Sequence, residues 1–412
     1  MLATPDLRPF VVLGLISLVA ASGAQADDWP QFRGPNRDGI STETGLLREW
    51  PSEGPQELWR RDLGAGYSAV SIVGDTLYTM FSDESGEYAI ALAASDGSEL
   101  WRHRLDDQFT SGHGHGPRAT PTVADGVVFA HGARSQLAAL DATTGDLRWQ
   151  RNLKDDFGAR VPRWGASSSP LVEGDLLIVD AGGETSSVLG LDKRTGVVVW
   201  SAVEDQAGYS SPVAVTVHDK RQVLALTANR LVAIAPEDGE VLWSLPWKTS
   251  WNVNATMPVF VPPSSIFLAT GYRTGAALID VKTSPTGLEV HEVWRNPKMR
   301  NQFSNSVVYD GYVYGFDNTT LRCLDLATGE ERWAERGYGH GSLTVIDGQL
   351  LVLSDRGELL LASPDPGGFV VANSTTLFQG KTWTVPTFSE GRLFVRDGKE
   401  LLALDLKAAP AD

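Results

Sequence analysis

The stretch LDATTGDLRW, Leu140 to Trp149, recurs along the chain and decides the fold. Close copies are LDKRTGVVVW, which ends at Trp200, and LDLATGEERW, which ends at Trp333. The tryptophans that end strand phrases of this kind are Trp59, Trp101, Trp149, Trp200, Trp243, Trp294 and Trp333, with gaps of 42, 48, 51, 43, 51 and 39 residues. A repeat of about 40 to 50 residues made of short strands predicts a β-propeller.

Each copy of the phrase predicts two strands joined by a turn. Leu140 and Ala142 end one strand, Thr144-Gly145 supplies a turn in which glycine takes a positive φ, and Leu147 and Trp149 are predicted to share one face of the returning strand. The aspartate that follows the first strand is expected to accept backbone hydrogen bonds within the turn. Its copies are Asp141, Asp192, Asp280, Asp325 and Asp405. A catalytic role is the alternative, but recurrence in most blades favours the structural one.

The ends of the chain predict how the ring closes. Glu57 to Leu63 resembles Glu99 to Leu105 but has no blade of its own before it, and Leu401 to Leu406 is an inner half-phrase without its outer strand. The N-terminal strand is therefore predicted to complete the last blade, which removes exposed sheet edges. The fold class is all-β: an eight-bladed propeller over residues 57–407, with four-stranded antiparallel blades and a short tail at 408–412. A count of seven blades is the alternative.

Each blade is also predicted to contain a hairpin after its first strand. These hairpins are Gly74-Asp75, Asp125-Gly126, Gly174-Asp175, His218 to Arg221, Pro262-Pro263, Asp310-Gly311, Asp347-Gly348 and Glu390-Gly391. The seventh blade, from about Gly341 to Phe378, lacks the terminal Trp, and Pro364 to Gly368 replaces its usual turn.

The N-terminal region reads as a signal peptide followed by a lead-in. Met1 to Ala26 has an apolar run, Phe10 to Ala21, and a small-x-small cleavage site at Ala24-Gln25-Ala26. No Cys follows the apolar run, so we expect a periplasmic or secreted chain without a lipid-attachment cysteine and without membrane insertion. Residues 27–56 are rich in Pro and Gly, and we expect them to lie extended across the outside of the fold.

Charge and cysteine content exclude several classes. The formal net charge is -16, from 35 basic and 51 acidic residues. So acidic a chain repels nucleic acid and anionic membrane surfaces. The single cysteine, Cys323, falls in a predicted strand, where it is expected to be a small buried apolar residue. Disulfides therefore play no part in the predicted fold. We also expect the protein to be a monomer.

The Ser-Pro opening, the Gly/Asp hairpin and the motif L-D-x-x-T-G-x-x-x-W resemble the repeat of the pyrroloquinoline-quinone (PQQ) propellers. The eight blades, signal peptide and modest length resemble the noncatalytic BamB-type members. This resemblance implies an exported binding or scaffold protein without a cofactor. The alternative that it leaves open is a PQQ- and calcium-dependent dehydrogenase of alcohols or sugars, and a saccharide-binding module ranks third. One cysteine rules out the vicinal disulfide that the dehydrogenase resemblance implies, and the loops offer few carboxylates for calcium.

The loops that precede each first strand should converge on one mouth of the channel, where we place the ligand or partner site. Seven of these eight loops carry an aromatic residue. These residues either pack where each blade enters the channel or form a shared aromatic rim that contacts a ligand. Their polar residues do not follow the repeat and favour an anionic ligand or an unknown protein, with a solvated rim as the alternative. The predicted site residues are Tyr67, Arg118, Arg163, Trp164, Tyr209, Trp251, Asn252, Asn254, Phe303, Asn305, Tyr338, His340, Lys381 and Trp383. Arg300 belongs to the same group of polar loop residues.

No catalytic residue is predicted. His113 and His115, with His340, form a weak candidate metal site, because two imidazoles of an H-x-H sequence can reach one ion. The surrounding glycines and the lack of a nearby carboxylate argue against it. The serines Ser167 to Ser169 belong to the repeated Ser-Pro opening, which favours a structural role over a nucleophilic one.

Overall fold

The computed structural model describes residues 28–183, 186–285 and 287–409. The predicted signal peptide, Met1 to Ala26, lies outside them. The described residues form eight blades of four antiparallel strands each around a channel, as the repeat predicted, so the seven-blade count is wrong. The short lead-in strand Ile40–Ser41 joins the seventh blade as a fifth strand, parallel to its first strand. The first strands of neighbouring blades contact one another, which places them around the channel axis.

The blades follow one another in chain order, and two strands precede them. The lead-in contains β1 (Ile40–Ser41) and is followed by β2 (Gln56–Asp62). Blade one is β3 (Ser71–Val73), β4 (Thr76–Asp83), β5 (Gly86–Ala93) and β6 (Glu99–Asp106). Blade two is β7 (Thr122–Ala124), β8 (Val127–His131), β9 (Gln136–Asp141) and β10 (Leu147–Asn152). Blade three is β11 (Leu171–Glu173), β12 (Leu176–Asp180), β13 (Val188–Asp192) and β14 (Val198–Ala202). Blade four is β15 (Val213–Val217), β16 (Lys220–Leu226), β17 (Arg230–Ile234) and β18 (Val241–Pro246).

The second half of the ring repeats this order. Blade five is β19 (Val259–Val261), β20 (Ser265–Thr270), β21 (Gly275–Ser284) and β22 (Gly287–Asn296). Blade six is β23 (Val307–Tyr309), β24 (Tyr312–Asp317), β25 (Thr320–Asp325) and β26 (Glu331–Arg336). Blade seven is β27 (Ser342–Ile346), β28 (Gln349–Leu353), β29 (Glu358–Ala362) and β30 (Val371–Thr376). Blade eight is β31 (Thr387–Ser389), β32 (Arg392–Arg396), β33 (Glu400–Asp405) and the N-terminal β2.

Helical segments are short and lie in loops. Helix α1 (Leu153–Phe157) follows β10, begins at the N-cap Asn152 and ends at Gly158. A 3-10 turn spans Ser250–Asn252. Within the described part of the chain, no helix has the length and hydropathy of a membrane span.

The aspartate of the repeat accepts backbone hydrogen bonds within its turn, as predicted, but two details of the repeat differ from the prediction. Asp141 Oδ1 accepts from the backbone N–H of Thr143 (2.9 Å) and of Thr144 (3.1 Å). Asp280 departs, because β21 continues past it and its carboxylate accepts from Ser264 Oγ at 2.6 Å instead. Leu147 and Trp149 do not share a face: a bulge between them pairs Leu147 with Leu140 and Trp149 with Ala139, which turns the two side chains to opposite faces.

The repeat tryptophan joins one blade to the next. Trp101 Nε1 of blade one donates to the carbonyl of Ala142 in blade two at 2.9 Å, and Trp149 Nε1 does the same to Lys193 in blade three at 2.9 Å. The indole also covers the turn glycine of the next blade: a Cβ on Gly145 would lie 2.6 Å from the Trp101 ring. The Trp and the Gly of the phrase are thus two halves of one inter-blade contact.

The ring closes where the sequence predicted. β2 pairs antiparallel with β33, and Trp59 faces Ala403. Blade seven, which lacks its own Trp, has Asn373 at that register position, opposite Leu361. The lead-in fills the junction: the Trp50 ring packs against the core between blades seven and eight, and its backbone N–H donates to Asn373 Oδ1 at 3.0 Å.

The lead-in does not lie across the outside of the fold, which corrects the sequence-based expectation. It crosses the channel at the end that carries the predicted hairpins, which we call the hairpin end. Arg37 is buried and donates to the carbonyls of Ser169, Pro170 and Pro212 in blades three and four. Arg33, also buried, donates to Ser306 O of blade six at 2.8 Å. These carbonyls attract the segment inward because buried backbone acceptors need a donor.

Candidate functional site

A cavity of about 430 Å³ lies at the opposite end of the channel, which we call the loop end. It forms where the loops before the first strands converge, together with the turn between β20 and β21. Phe32 of the lead-in is one of its lining residues. Because the lead-in enters from the hairpin end, Phe32 forms the bottom of the cavity.

Eight of the fourteen predicted site residues line this cavity. They are Tyr67, Arg118, Trp164, Tyr209, Phe303, Asn305, His340 and Trp383. His113, one of the weak metal candidates, also lines it. The eight predicted residues that line the cavity therefore come from every blade except blade five. Their part in binding stays a prediction.

The other six predicted residues do not line the cavity. Asn254 is buried and its Nδ2 donates to the carbonyls of Thr227 (2.7 Å) and Trp247 (2.9 Å), so it is a structural residue. Tyr338 packs edge-on against Phe369, with ring centroids 5.7 Å apart. Trp251 is 75% exposed, with Asn252 exposed beside it.

Arg163 and Lys381, the last two of the predicted residues, are exposed cations that lie over aromatic rings of the cavity wall. The Arg163 guanidinium lies 5.5 Å from the centre of the Trp164 ring, and Lys381 Nζ lies 4.0 Å from the centre of the Trp383 ring. Arg300, by contrast, forms an ion pair with buried Asp317 at 2.5 Å. Arg163 and Lys381 give the rim positive charge next to its aromatic side chains.

The aromatic residues of the wall form two groups. On one side, Trp383 lies 5.6 Å from Tyr67 and 4.7 Å from Phe303, measured between ring centroids. On the other side, Trp164 lies 5.6 Å from His113 and 5.8 Å from Tyr209. Burial raises the pKa of both tyrosine hydroxyls, so both stay neutral at ordinary pH. The wall is therefore flat, apolar and uncharged over most of its area.

Arg118 is the permanent charge in the cavity lining. Its Nη2 donates to Gly114 O at 2.7 Å, its Nη1 donates to Gly116 O, and its guanidinium lies 4.8 Å from the centre of the Phe109 ring. In the described part of the chain, no ion pair includes Arg118 and no Asp or Glu lines the cavity. Burial lowers the pKa of Arg118, and the nearby carboxyl of Glu87, which makes no ion-pair contact with it, opposes this effect in part.

The hydroxyl groups around the channel are used to join blades. Ser169 Oγ accepts from the backbone N–H of Thr120 at 2.9 Å, and Ser211 Oγ accepts from Ser169 N at 2.9 Å. Asn305 Oδ1 accepts from Met257 N at 2.6 Å in the same way. The serines of the Ser-Pro openings thus have the structural role that their repetition indicated.

Calcium does not fit this donor set. A calcium ion takes about six to eight oxygen ligands, several of them charged. The cavity lining offers hydroxyls and amides, and the Asn305 oxygen is already engaged. Over the described residues, no group of three or more His, Cys, Asp or Glu side chains is placed to hold a metal ion. His115 Nδ1 accepts from Ser111 N at 3.2 Å, and His340 Nε2 lies 3.0 Å from Gln302 Oε1, so these histidines have other partners.

Among the lining residues that the sequence did not predict, Phe32, Tyr272 and Gln302 have the largest side chains. Phe32 belongs to the lead-in, which was expected outside the fold. Tyr272 lies in the turn between β20 and β21 with a φ of 54°, and that second set of loops was not considered as part of the mouth. Gln302 directly precedes the predicted residue Phe303.

Comparisons with known proteins give two groups of relatives. A family described as outer membrane protein assembly factor BamB matches residues 51–163 and 86–335. Outer membrane protein assembly factor BamB of Yersinia pestis is 25% identical over 407 residues, covering 96% of this chain and 88% of that protein.

Solved structures of both groups share the fold. The structure of BamB from Moraxella catarrhalis superposes with a TM-score of 0.60 at 17% identity, covering 85% of this chain and 99% of that chain. Quinohemoprotein alcohol dehydrogenase from Comamonas testosteroni gives 0.65 at 11% identity, covering 93% and 81%. At these identities the likeness shows the propeller fold and does not distinguish binding from catalysis.

Proposed function

The chain belongs to the family described as outer membrane protein assembly factor BamB, and on that premise we propose that it is an exported, noncatalytic binding protein. Its partner, a protein or a small anionic ligand, engages the loop end of the channel. The observation that carries this proposal is the cavity of about 430 Å³, walled by aromatic residues and containing Arg118, with no carboxylate lining it in the described chain.

The structure supports binding over redox catalysis through its donor set. A dehydrogenase that uses PQQ and calcium needs charged oxygen ligands beside the quinone, and the cavity supplies hydroxyls and amides instead. Aromatic side chains with few rotatable bonds are good contact residues for a bound partner. We therefore derive no catalytic step for this cavity.

A thermal melt and a dye-reduction assay test the noncatalytic assignment. The purified mature chain is heated with and without PQQ plus calcium, since a ligand that binds only the native state must raise the melting midpoint. We expect no shift and no reduction of a redox dye with alcohols or sugars. A clear shift together with dye reduction would establish the quinoprotein alternative and end the proposal.

Photo-crosslinking distinguishes a protein partner from a small ligand. A photo-reactive amino acid replaces Lys381 at the rim of the loop end, and a control replaces Arg194, an exposed residue in the blade-three turn at the hairpin end. A protein partner at the loop end gives adducts in living cells from position 381 alone. Adducts from position 194 alone would place the partner on the wrong end of the channel.

A further inference from the structure

A second, much smaller cavity lies between blades two, three and four, and it is separate from the channel cavity. Its volume is about 10 Å³. Three buried side chains that line it each have one atom without a hydrogen-bond partner among the described residues: His131 Nε2, Ser168 Oγ and Asp180 Oδ1. Buried polar atoms are nearly always hydrogen-bonded, so three such atoms around one small cavity indicate a common partner.

The repeat shows that this arrangement is specific to blades two and three. His131 and Asp180 end the second strands of these blades, β8 and β12. The matching place in blades four to eight is also polar, but there the side chain is satisfied by the protein. Thr270 Oγ1, for example, accepts from Trp247 Nε1 at 2.8 Å. The matching residues are Thr227, Thr270, Asp317, Ser354 and Asp397.

Neighbouring groups fix the chemical character of the histidine and the aspartate. His131 Nδ1 lies 2.9 Å from the carbonyl oxygen of Ser168, which can only accept, so Nδ1 carries the proton. Burial lowers the pKa of His131, so the ring is neutral and its Nε2 is an acceptor. Burial raises the pKa of Asp180 to about 8, and its Oδ2 accepts from Gly208 N at 3.2 Å, so at neutral pH Oδ1 carries the proton. The cavity therefore presents an acceptor, a donor and a hydroxyl that can act as either.

This set of groups suits one water molecule. A cavity needs about 10–15 Å³ to hold a water, and a buried water typically makes about three hydrogen bonds. A metal ion suits the groups less well, because metal ions bind ionised carboxylates. Asp180 is the one carboxyl among the described residues that line the cavity, and it is neutral.

We propose that one water molecule is bound in this cavity, where it accepts from the Asp180 carboxyl, donates to His131 Nε2 and shares a third hydrogen bond with Ser168 Oγ. The water joins the ends of β8 and β12 and so connects blades two and three. Ser167 lines both cavities, and its Oγ donates to Tyr209 O at 2.8 Å. The water site therefore lies behind the wall that contains Tyr209. This inference does not depend on the proposed function.

A high-resolution crystal structure of the mature chain tests the site directly. We expect one solvent peak at about 2.7–3.2 Å from His131 Nε2, Ser168 Oγ and the Asp180 carboxyl. A peak with anomalous signal at about 2.0–2.2 Å from His131 Nε2 would identify a metal ion instead. A cavity without density would be dry. Either of these two results overturns the inference.

Two substitutions at one position test the water in solution. Asp180→Asn keeps a donor toward the cavity and an acceptor for Gly208 N, whereas Asp180→Leu offers neither. We expect the water to stay in Asp180→Asn and to leave in Asp180→Leu. The ¹⁵N NMR signal of His131 Nε2, assigned by its loss in His131→Gln, should keep its chemical shift in the first variant. In the second it should move toward the value of an acceptor without a hydrogen bond.

Thermal melts verify that both variants fold. If Asp180→Leu does not fold, Ser168→Ala replaces it, because this variant removes one partner of the water and leaves Asp180 in place. Equal movements of the His131 signal in both variants, or none in either, would contradict a water held by Asp180. Neither result affects the noncatalytic assignment, which is tested by dye reduction with PQQ and calcium.

Discussion

The two ends of the channel use arginine in opposite ways. At the hairpin end, Arg37 is buried and its guanidinium donates to carbonyls of blades three and four and to Thr122 Oγ1 of blade two. At the loop end, Arg118 lies half-buried in a cavity and donates to two carbonyls of its own loop. Arg37 connects three consecutive blades by hydrogen bonds, whereas the hydrogen bonds of Arg118 stay within residues 114–118 and its guanidinium otherwise lies over the rings of Phe109 and Tyr67.

This difference separates stability from binding along the channel axis. Hydrogen bonds from Arg37 satisfy carbonyls that have no strand partner, so the hairpin end is closed by the chain itself. The Trp–Gly contacts between blades lie toward the same end. The loop end is left with an aromatic cavity and a half-buried arginine that makes only local hydrogen bonds, so substitutions there should change ligand binding more than folding.

Replacing Arg37 should have the largest effect on stability. Arg37→Ala leaves the carbonyls of Ser169 and Pro212 without a donor, whereas Pro170 O keeps the hydroxyl of Thr122. Each buried unsatisfied acceptor costs roughly 1 kcal/mol or more, and the cavity left by the buried side chain adds to this, so we expect a loss of about 3 kcal/mol or more. Urea denaturation measures the change. The matched control is Arg48→Ala in the same lead-in, because the Arg48 side chain is 55% exposed and its ion pair contributes little. Equal losses in the two variants would contradict the structural role of Arg37.

A pair of glycines measures the contact between blades. Gly145 and Gly126 have φ values of 75° and 70°, so alanine is strained at both, by about 1 kcal/mol. A Cβ at Gly145 also meets the Trp101 ring at 2.6 Å, whereas nothing lies within 4 Å of a Cβ at Gly126. We therefore expect Gly145→Ala to cost about 2–3 kcal/mol and Gly126→Ala about 1 kcal/mol. Thermal melts of the two variants should differ in this order, and equal midpoints would show that the indole moves aside freely.

The loop end also contains a buried acid that makes stability depend on pH. Burial raises the pKa of Glu87 from 4.5 to about 7, while one oxygen accepts from Ala133 N at 2.7 Å. Because the folded pKa lies above the unfolded one, the contribution of Glu87 is fully present below about pH 4.5 and is lost as the pH rises through 7. Between pH 5 and 7 the free energy of unfolding should fall by about 2 kcal/mol on this account.

Glu87→Gln tests that slope, since glutamine keeps an acceptor for Ala133 and cannot ionise. We expect the difference between wild type and variant to grow from pH 5 to pH 7 in urea titrations. Burial raises the pKa of Asp180 to about 8, so this acid makes stability depend on pH with the same sign. Asp180→Asn measures that second contribution separately. A difference that stays constant with pH would mean that Glu87 is ionised in the fold.

Most of the fold could be predicted from the sequence because the fold is built from repeats. Every predicted hairpin coincides with the connection between the first and second strands, and the closing strand was identified from a fragment that lacked a blade. The bulge before each tryptophan was missed, since a single extra residue leaves the alternation of the strand nearly unchanged. The path of residues 28–50 was missed because Pro- and Gly-rich sequence has no periodicity, and the partners of Arg33 and Arg37 are backbone carbonyls, which no side-chain pattern encodes.

The candidate site was predictable in part for a related reason. Loops that precede the first strands must converge, so positions such as Tyr67 and Trp383 followed from topology. Which side chain turns inward depends on local contacts: Asn254 turns away to donate to Thr227 and Trp247, whereas Tyr272 enters from a turn with positive φ. These choices are made by single hydrogen bonds and backbone angles, and they differ from blade to blade.

The smallest stability change is expected at Arg118, and it completes the contrast with Arg37. Arg118→Gln removes two hydrogen bonds to carbonyls of a loop near solvent, which water or the glutamine amide replaces. It also removes a half-buried charge that makes no ion-pair contact with Glu87, the carboxyl that acts on it. The two effects oppose each other, so the free energy of unfolding should change by less than about 1 kcal/mol in either direction in urea denaturation. A loss as large as that of Arg37→Ala would make Arg118 a structural residue. A near-neutral change would show that the arginines at the two ends of one channel contribute differently to folding.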